Sequence, residues 1–403
     1  MDELCDESRF EKTIHGGQIE LRRVVKDGLF TVSTNEESWG RAHRILMPGF
    51  GKKAMDAYLP VMNSVARSMV ENWSDTVGTP INVGHYMAMV SLEIIGVCGF
   101  DYHFADFSNY QEHPLATKIK SVLMDANLST VFPDFWMNVL FATGYRRKRN
   151  IRYIHNVVDD VIAKRLNDPE AYSDKQDFLS LMLDGVDRKD GSKLDEENIR
   201  YQLITFLVAG SETTSSLLGF CLYYLMKNDV VMRKARAAVD EVFDCSEDQQ
   251  LTFKDLSKLS YLRMVINEAL RLWPTATGFF LKPKEKTTLN GAYDILEDDV
   301  LFISLPGLHR DVEIWGSRPD EFTPENFSPE NIKNRPKNAF KPFGNGMRAC
   351  IGRHFAITEA QVVLAHILHR FNLVDYKNYQ LKIEEMASLK VKNFNMLVTP
   401  RRS

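Results

Sequence analysis

The feature that most constrains this chain is a ten-residue segment near its carboxyl end, residues 343–352, with the sequence FGNGMRACIG. Its glycines permit backbone angles that other residues resist, so the loop can turn tightly and approach a flat ligand closely. A helical pattern begins directly afterwards, at Arg353. Cys350 therefore precedes a helix amino terminus, where partial positive charge stabilises a thiolate. The alternative is a buried structural cysteine in a glycine-rich turn, because free cysteine is often buried.

The residue types of this loop suit a haem group with a sulfur ligand. A cysteine thiolate in the axial position pushes electron density onto haem iron, which favours O–O cleavage. Arg348 can pair with a haem propionate through charge-assisted hydrogen bonds. Phe343 is expected to pack beside the sulfur and to limit its contact with water. The loop is therefore suited to hold a haem group through the Cys350 thiolate.

A second motif lies in the longest apolar stretch, residues 201–226, which carries the acid Glu212 near its middle. The acid favours a buried core helix over a membrane span, because a charge inside a bilayer is costly. Asp195 is suited to cap this helix, which would run to about residue 226. At roughly 1.5 Å per residue, such a helix is long enough to cross a whole domain.

The middle of the predicted helix combines small, acidic and hydroxyl side chains in the run AGSETT, residues 209–214. The small side chains Ala209 and Gly210 would let a flat cofactor lie against the backbone. Thr213 can bond a carbonyl one turn back and open the helix locally. Together with Glu212 it forms a candidate relay for protons. A kink that serves packing alone is the alternative.

Composition and periodicity indicate the fold class. The chain has 403 residues, of which 44% are hydrophobic, and a formal net charge of −4, which gives no sign of a nucleic-acid partner. Helical spacing of apolar residues predicts helices at 54–73, 87–96, 151–166 and 355–371. Strand patterns are few and late, at 278–282, 300–304 and 394–400. We expect one domain over residues 1–403, mainly α with a small β-sheet.

Cysteine usage and the first residues bear on location. The five cysteines lie far apart and show no metal-type spacing, which argues for a reducing compartment without a disulfide framework. Residues 1–10 are polar and acidic, so no signal peptide, anchor or membrane span is expected. We expect a cytoplasmic protein, with peripheral association to the endoplasmic reticulum membrane as a variant of that location.

The pattern Phe-x-x-Gly-x-Arg-x-Cys-x-Gly, together with the central acid–alcohol pair, resembles the cytochrome P450 family. The resemblance implies haem b as cofactor, with the Cys350 thiolate as the axial ligand of the iron. The resemblance implies that Trp39 and His43, four residues apart on one helix face, reach the haem propionates, with Lys12 as a further donor. Simple core packing is the alternative for Trp39 and His43. The acid–alcohol pair marks the monooxygenases of the family, so Thr213 favours the oxygen-using branch.

Two further positions match or depart from the family pattern. Glu268 and Arg271, three residues apart, look like its buried structural Glu-x-x-Arg pair, whereas such a pair elsewhere is commonly a surface bridge. Asn326 stands where the family usually has an arginine that completes a triad with them. A neutral amide replaces a planar fork of donors there, so we expect a weakened triad.

Longer runs of sequence are similar to the haem domain of the self-sufficient fatty-acid hydroxylases, which are fused to a flavin reductase. That resemblance places Phe30 above the haem, and Ala209, Ala276 and Thr277 along the substrate pocket. An ordinary core aromatic is the alternative for Phe30. The first helix and first two strands of the usual fold have no counterpart in the sequence, so the sheet is expected to have an unpaired edge near 300–304.

The resemblance implies a monooxygenase that inserts one atom of O₂ into a C–H bond of a long aliphatic substrate, a fatty acid or an acyl or polyketide chain. No flavin or nicotinamide segment follows, so electrons are expected from a separate NADPH-dependent flavin reductase. A basic docking face is expected, formed by Lys52, Lys53, Lys341 and Arg353. A truncated haem-binding pseudoenzyme without turnover is one alternative, and a haem-thiolate isomerase that needs no reductase is another.

Overall fold

The computed structural model describes residues 1–107, 111–130, 132, 143–243, 249–385 and 388–401 of the chain. Helices make up most of it. The α-helices are α1 (Gly17–Val25), α2 (Glu37–Leu46), α3 (Lys52–Asp75), α4 (Val83–Phe100), α5 (Pro114–Leu128), α6 (Thr143–Asn167), α7 (Phe178–Asp184), α8 (Glu196–Lys227), α9 (Asp229–Asp240), α10 (Phe253–Lys258), α11 (Ser260–Leu272), α12 (Leu305–Leu308), α13 (Val312–Trp315), α14 (Pro329–Asn334) and α15 (Arg353–Arg370).

The strands are short and form small antiparallel sheets. They are β1 (Phe10–Thr13), β2 (Ile81–Asn82), β3 (Ala105–Asp106), β4 (Gln111–Glu112), β5 (Gly278–Pro283), β6 (Thr287–Leu289), β7 (Tyr293–Ile295), β8 (Leu301–Ser304), β9 (Phe371–Asp375), β10 (Ile383–Glu385), β11 (Leu389–Val391) and β12 (Asn395–Pro400). Two sheets have three strands, in the orders β1-β5-β8 and β2-β12-β9, and the others are hairpins. The expected fold class, mainly α with a small β-sheet, is confirmed.

The long helix α8 lies at the centre of the core. The Asp195 side chain caps it by accepting a hydrogen bond of 2.7 Å from the Asn198 amide, as the sequence predicted. Most of its residues outside the middle are buried, and its closest partner is α4. A Cβ atom at Gly210 would lie 3.1 Å from Ile95 of α4. Gly210 therefore serves the close approach of two helices.

Most predicted elements are present with shifted ends. The predicted helix at 355–371 begins at Arg353 and stops at Arg370, because Phe371 already starts β9. The polar, aspartate-containing sequence of residues 244–250 predicts a surface turn, and most of these residues lie outside the described part of the chain. Strand β1, which sequence patterns missed, pairs with β5. Among the described residues β8 pairs with β5 alone, so it forms one edge of its sheet. The idea that preceding elements are missing stays a prediction.

Two helices, Val83–Phe100 and Glu196–Lys227, are long and apolar enough to cross a membrane by length and composition. However, 78% and 67% of their most apolar windows are buried inside the fold, as in core helices of soluble proteins. Four cysteines are free thiols, namely Cys5, Cys98, Cys221 and Cys350. The fifth, Cys245, lies outside the described residues.

Candidate haem site

The loop before α15 is closed by its own backbone. The Cys350 amide donates a hydrogen bond of 2.8 Å to the Phe343 carbonyl, and Gly344 and Gly346 adopt φ angles of +78° and +60°. Such angles favour glycine, because a side chain there is strained. Phe343 is half-buried against the main core. The loop thereby presents Cys350 just before the first turn of α15, as predicted.

Phe50 is a neighbour of the sulfur that the sequence did not indicate. A Cβ atom added to Gly352 would lie 3.7 Å from the Phe50 ring and 3.9 Å from the Cys350 Sγ. Phe50 belongs to the 3₁₀ turn Met47–Phe50 and stacks on Phe178 at 4.6 Å between ring centres. Both aromatic residues at the loop, Phe343 and Phe50, can shield the thiolate from water.

Cys350 faces a recess. Its side chain is exposed, yet burial raises the pKa of its thiol, while the Gly352 amide and the charges of Lys12 and Arg353 lower that pKa. An exposed group that the surrounding protein nevertheless desolvates lies in a recess. Ala209 is also exposed, near the middle of α8 and between two half-buried residues. An exposed cysteine on the loop and an exposed small residue on α8 suit the binding of a flat cofactor.

Three cationic or basic groups gather beside the loop. The Arg348 guanidinium carbon lies 4.9 Å from the centre of the Trp39 ring, which stacks on His43 at 4.9 Å. Burial lowers the pKa of Arg348 to about 10, although Glu36 and Glu11 oppose this. Burial and the Arg348 charge lower the pKa of Lys12 to about 8 and also lower the pKa of His43.

This grouping fits the two carboxylates of a haem. Buried cations that repel one another are stabilised by a bound anion, because buried charges need partners. Arg348 also donates a hydrogen bond of 3.2 Å to the Thr34 hydroxyl, which orients its guanidinium. The predicted set Arg348, Trp39, His43 and Lys12 is therefore brought together, and its assignment to propionates is a proposal. We call Arg348, Lys12 and His43 the basic cluster.

The acid and the alcohol of α8 have separate partners. The Thr213 hydroxyl donates a hydrogen bond of 2.8 Å to the Ala209 carbonyl, one turn back, and the helix stays continuous. The Glu212 carboxylate forms an ion pair of 3.3 Å with Lys390 of β11. Consecutive helix residues point about 100° apart, which accounts for the separation. Lys390 is a site residue that sequence reasoning missed, 178 positions along the chain from Glu212.

Three of the four residues expected to line a substrate pocket are exposed. Phe30 and Ala276 are exposed next to buried residues, Ala209 is exposed between two half-buried residues, and Thr277 is half-buried. The Lys12 ammonium lies 5.0 Å from the centre of the Phe30 ring, so Phe30 borders the basic cluster. Phe30 is 36% exposed and is therefore not an ordinary core aromatic.

A buried ion pair is connected to the loop through His309. Glu268 and Arg271 are both completely buried and share two hydrogen bonds of 2.8 and 2.7 Å. Arg271 also donates to the carbonyl of His309 at 2.9 Å, and the His309 Nε2 accepts a hydrogen bond of 3.0 Å from the Lys341 amide. We call Glu268, Arg271 and His309 the brace. His309 was missed by the sequence analysis, because a lone histidine carries no signal of burial.

The amino-terminal segment clamps the same loop. The Glu7 carboxylate accepts a hydrogen bond of 2.7 Å from the Met347 amide. The Asn345 side chain donates a hydrogen bond of 3.2 Å to the Cys5 carbonyl. A Cβ atom at Gly346 would overlap the Glu7 carboxylate. The glycine is therefore required both by its φ angle and by this close contact.

Comparisons with known proteins agree with this site. The family described as Cytochrome P450 matches residues 4–398. A bifunctional cytochrome P450/NADPH–P450 reductase of Bacillus cereus is 40% identical over 99% of the chain, which covers 37% of that protein. A second bifunctional protein, of Bacillus subtilis, is 40% identical over 100% of the chain and 38% of its own length.

A self-sufficient cytochrome P450 monooxygenase of Aspergillus terreus is 36% identical over 100% of the chain, and the chain covers 38% of that protein. The chain thus spans less than two fifths of the length of these curated relatives. The family implies a haem with a thiolate-ligated iron, which the loop, the recess and the basic cluster fit. On the match over nearly all of its residues, the chain belongs to the cytochrome P450 family.

Proposed function

We propose that this chain is the haem domain of a monooxygenase that inserts one oxygen atom from O₂ into a C–H bond of a long aliphatic substrate. The observation that carries the proposal is Cys350, which faces a recess beside the basic cluster at the start of α15. Haem bound through this thiolate supplies the oxygen-activating chemistry. Fatty acids and acyl or polyketide chains are the substrate class.

The protein's own residues bind the haem propionates, order a water molecule and deliver protons. Arg348, Lys12 and His43 hold the propionates, and Trp39 supports Arg348 by its ring. The Thr213 hydroxyl, whose hydrogen is directed to the Ala209 carbonyl, keeps its lone pairs free to order a water molecule in the pocket. Glu212 stands one residue earlier and relays protons from solvent. Lys390 holds it at the helix as a carboxylate, so it takes up each proton before it passes that proton on.

Apolar residues support the choice of substrate. The exposed small side chains Ala209 and Ala276 leave room for a chain, and Phe30 limits its approach. An aliphatic substrate gains about 25 cal/mol for each Å² of apolar surface that it buries in such a pocket. The fatty-acid hydroxylases that the sequence resembles have this substrate class.

A separate NADPH-dependent flavin reductase is proposed as the electron donor. Lys52, Lys53 and Arg353 are exposed on segments that meet at the Cys350 loop, since Phe50 and Gly352 adjoin there. Lys341, the fourth expected basic residue, is held by the Asn345 side chain at 2.8 Å. We propose a cytoplasmic location; the relatives named above lend no support to an association with the endoplasmic reticulum membrane.

The test combines spectroscopy with turnover. The reduced protein with carbon monoxide should show the red-shifted Soret band of a thiolate ligand, and Cys350→Ala should lack it. Hydroxylation of long-chain fatty acids should require an added flavin reductase and NADPH. A proper thiolate spectrum without any turnover would favour a haem-binding pseudoenzyme. Turnover without an electron donor would favour an isomerase.

A further inference from the structure

Among the described residues, Arg271 is the only charged group that forms a hydrogen bond to the Glu268 carboxylate. The Glu268 carboxylate is fully buried and accepts hydrogen bonds from Arg271 and from the Thr323 amide at 2.8 Å. Arg271 divides its charge among Glu268 and the carbonyls of His309, Pro319 and Glu321. Asn326 adds only a neutral amide, at 3.2 Å from Glu268. A buried carboxylate without sufficient compensation is strongly destabilising.

Arg335 lies beside this group, nine positions after Asn326 and directly after helix α14. Its Nη2 donates a hydrogen bond to the backbone carbonyl of Asn326. Its guanidinium carbon lies 4.2 Å from the centre of the Trp315 ring and 4.6 Å from that of Phe327. Trp315 also contacts Arg271, at 5.0 Å. One aromatic ring therefore contacts both guanidinium groups.

The Arg335 guanidinium and the Glu268 carboxylate attract each other electrostatically. Burial lowers the pKa of Arg335 to about 10, and the Arg271 charge acts in the same direction, while the Glu268 carboxylate opposes them. Arg335 thus keeps its proton at neutral pH although it is half-buried. The stacked position suits arginine, because its planar and weakly hydrated group tolerates aromatic surroundings.

The brace transmits its position to the cysteine loop. Arg271 holds the His309 carbonyl, and the His309 ring accepts the hydrogen bond from the Lys341 amide, two residues before Phe343. Phe343 in turn accepts the hydrogen bond from the Cys350 amide. A shift of Glu268 and Arg271 would therefore move the segment that presents the thiolate.

We propose that Arg335 is a positioning residue. It places beside Glu268 the guanidinium that position 326 lacks, and through the brace it thereby holds the Cys350 loop in position. The compensating charge comes from a different position in the chain. Arg335 stacks on Trp315 and Phe327 beside the Glu268–Arg271 pair, and it donates a hydrogen bond to the Asn326 carbonyl. The inference depends on the position of these charges and not on any substrate.

The test compares three variants of the haem-loaded protein. Arg335→Met keeps side-chain length and removes the charge. Lys333→Met removes an exposed charge from α14, two residues away, and is the matched control. Asn326→Arg combined with Arg335→Met moves the guanidinium to position 326. The rate of haem transfer to excess apomyoglobin and the share of the thiolate-type carbon monoxide spectrum are measured for each.

Arg335→Met should release haem about tenfold faster, as expected from loss of a charged hydrogen bond, and should lose part of the thiolate-type band. Lys333→Met should match the parent, and the double variant should recover both properties. If Arg335→Met does not accumulate, Arg335→Gln takes its place and should release haem several-fold faster. A parent-like release rate for the charge-free variant, or a double variant as defective as the single one, would overturn the proposal.

Discussion

Thr213 offers the sharpest test of proton delivery at the residue scale. Thr213→Val keeps the shape of the side chain and removes the hydroxyl, so product formed per NADPH should fall by about tenfold to a hundredfold, with hydrogen peroxide released instead. Thr213→Ser retains the hydroxyl and should keep most of the coupling. The measurement is product against NADPH consumed with a fatty acid substrate. Equal coupling in the Val and Ser variants would contradict the assigned role.

Side chains around Cys350 were predictable where the chemistry is local in sequence. The spacing of Phe343, Arg348 and Cys350 in one loop indicated the thiolate, and the four-residue spacing of Trp39 and His43 indicated one helix face. Lys390 and His309 were not predictable, because their partners lie far away in the chain and single lysines and histidines carry no signal of their surroundings. The same holds for Arg335, whose role depends on stacking.

Two buried histidines should make the protein sensitive to acid. Burial lowers the pKa of His309 to about 3 and that of His366 to about 4. Between those values and the usual pKa of about 6.5, the unfolded chain binds more protons than the folded one. The contribution of the two neutral histidines to the free energy of unfolding should therefore be fully present above about pH 6.5. It should decline toward pH 4, by up to about 1.4 kcal/mol per pH unit for each histidine.

Urea unfolding at pH 7 and pH 5 measures this effect. His309→Gln removes one titrating group and keeps an acceptor for the Lys341 amide, so its stability should depend less on pH than that of the parent. His85→Gln, which alters a partly exposed histidine, serves as the comparison. An unchanged slope in His309→Gln would show that His309 is not neutral in the folded state.

At the scale of elements, periodicity located the long helices because burial of one face controls their sequence. Helix α8 was predicted with its cap at Asp195 and its end within one residue of the observed Lys227. Strand β1 was missed, because four residues with two charges, FEKT, show little strand pattern. Such strands are specified by partners such as β5, and the sequence of the strand alone does not contain that information.

Gly28 should be irreplaceable in the packing of the turn after α1 on α8. A Cβ atom there would overlap the Thr205 hydroxyl and lie 3.0 Å from the Tyr201 carbonyl. Gly28→Ala should therefore lower the free energy of unfolding by about 1–3 kcal/mol. Gly84, in the exposed first turn of α4, has only the Asn82 side chain within 4 Å, at 3.7 Å.

Gly84→Ala is the matched control and should raise stability by up to about 1 kcal/mol, because alanine loses less entropy in a helix. Chemical unfolding of both variants beside the parent measures the two effects. Equal stability of the two variants would mean that the turn moves away from α8 at little cost.

On the scale of the whole molecule, one large core connects residues from Val24 to Val398. A smaller core of Phe10, Phe279, Leu281, Ile303 and Leu305 lies under the sheet β1-β5-β8. The single domain stays a prediction, and composition and length alone did not reveal this second cluster. A small core buries less apolar surface, so its elements open at a lower free energy.

Hydrogen exchange should separate these two cores. Backbone amides of β5 and β8 should exchange through openings that cost less free energy than those of α8 and α15. Exchange measured by mass spectrometry at increasing urea tests this order, with the peptides of α4 as an internal reference for the large core. Equal opening energies in both regions would show that the sheet unfolds only with the whole molecule.

The contact between Glu7 and the Met347 amide joins positions 340 apart in sequence. During synthesis the first partner leaves the ribosome long before the second exists. The cysteine loop thus acquires its contact with Glu7 only when almost the entire described chain has been made. Until then Glu7 lacks its partner in the native structure. Cofactor capture in the final geometry of this loop is accordingly expected only after synthesis has passed Met347.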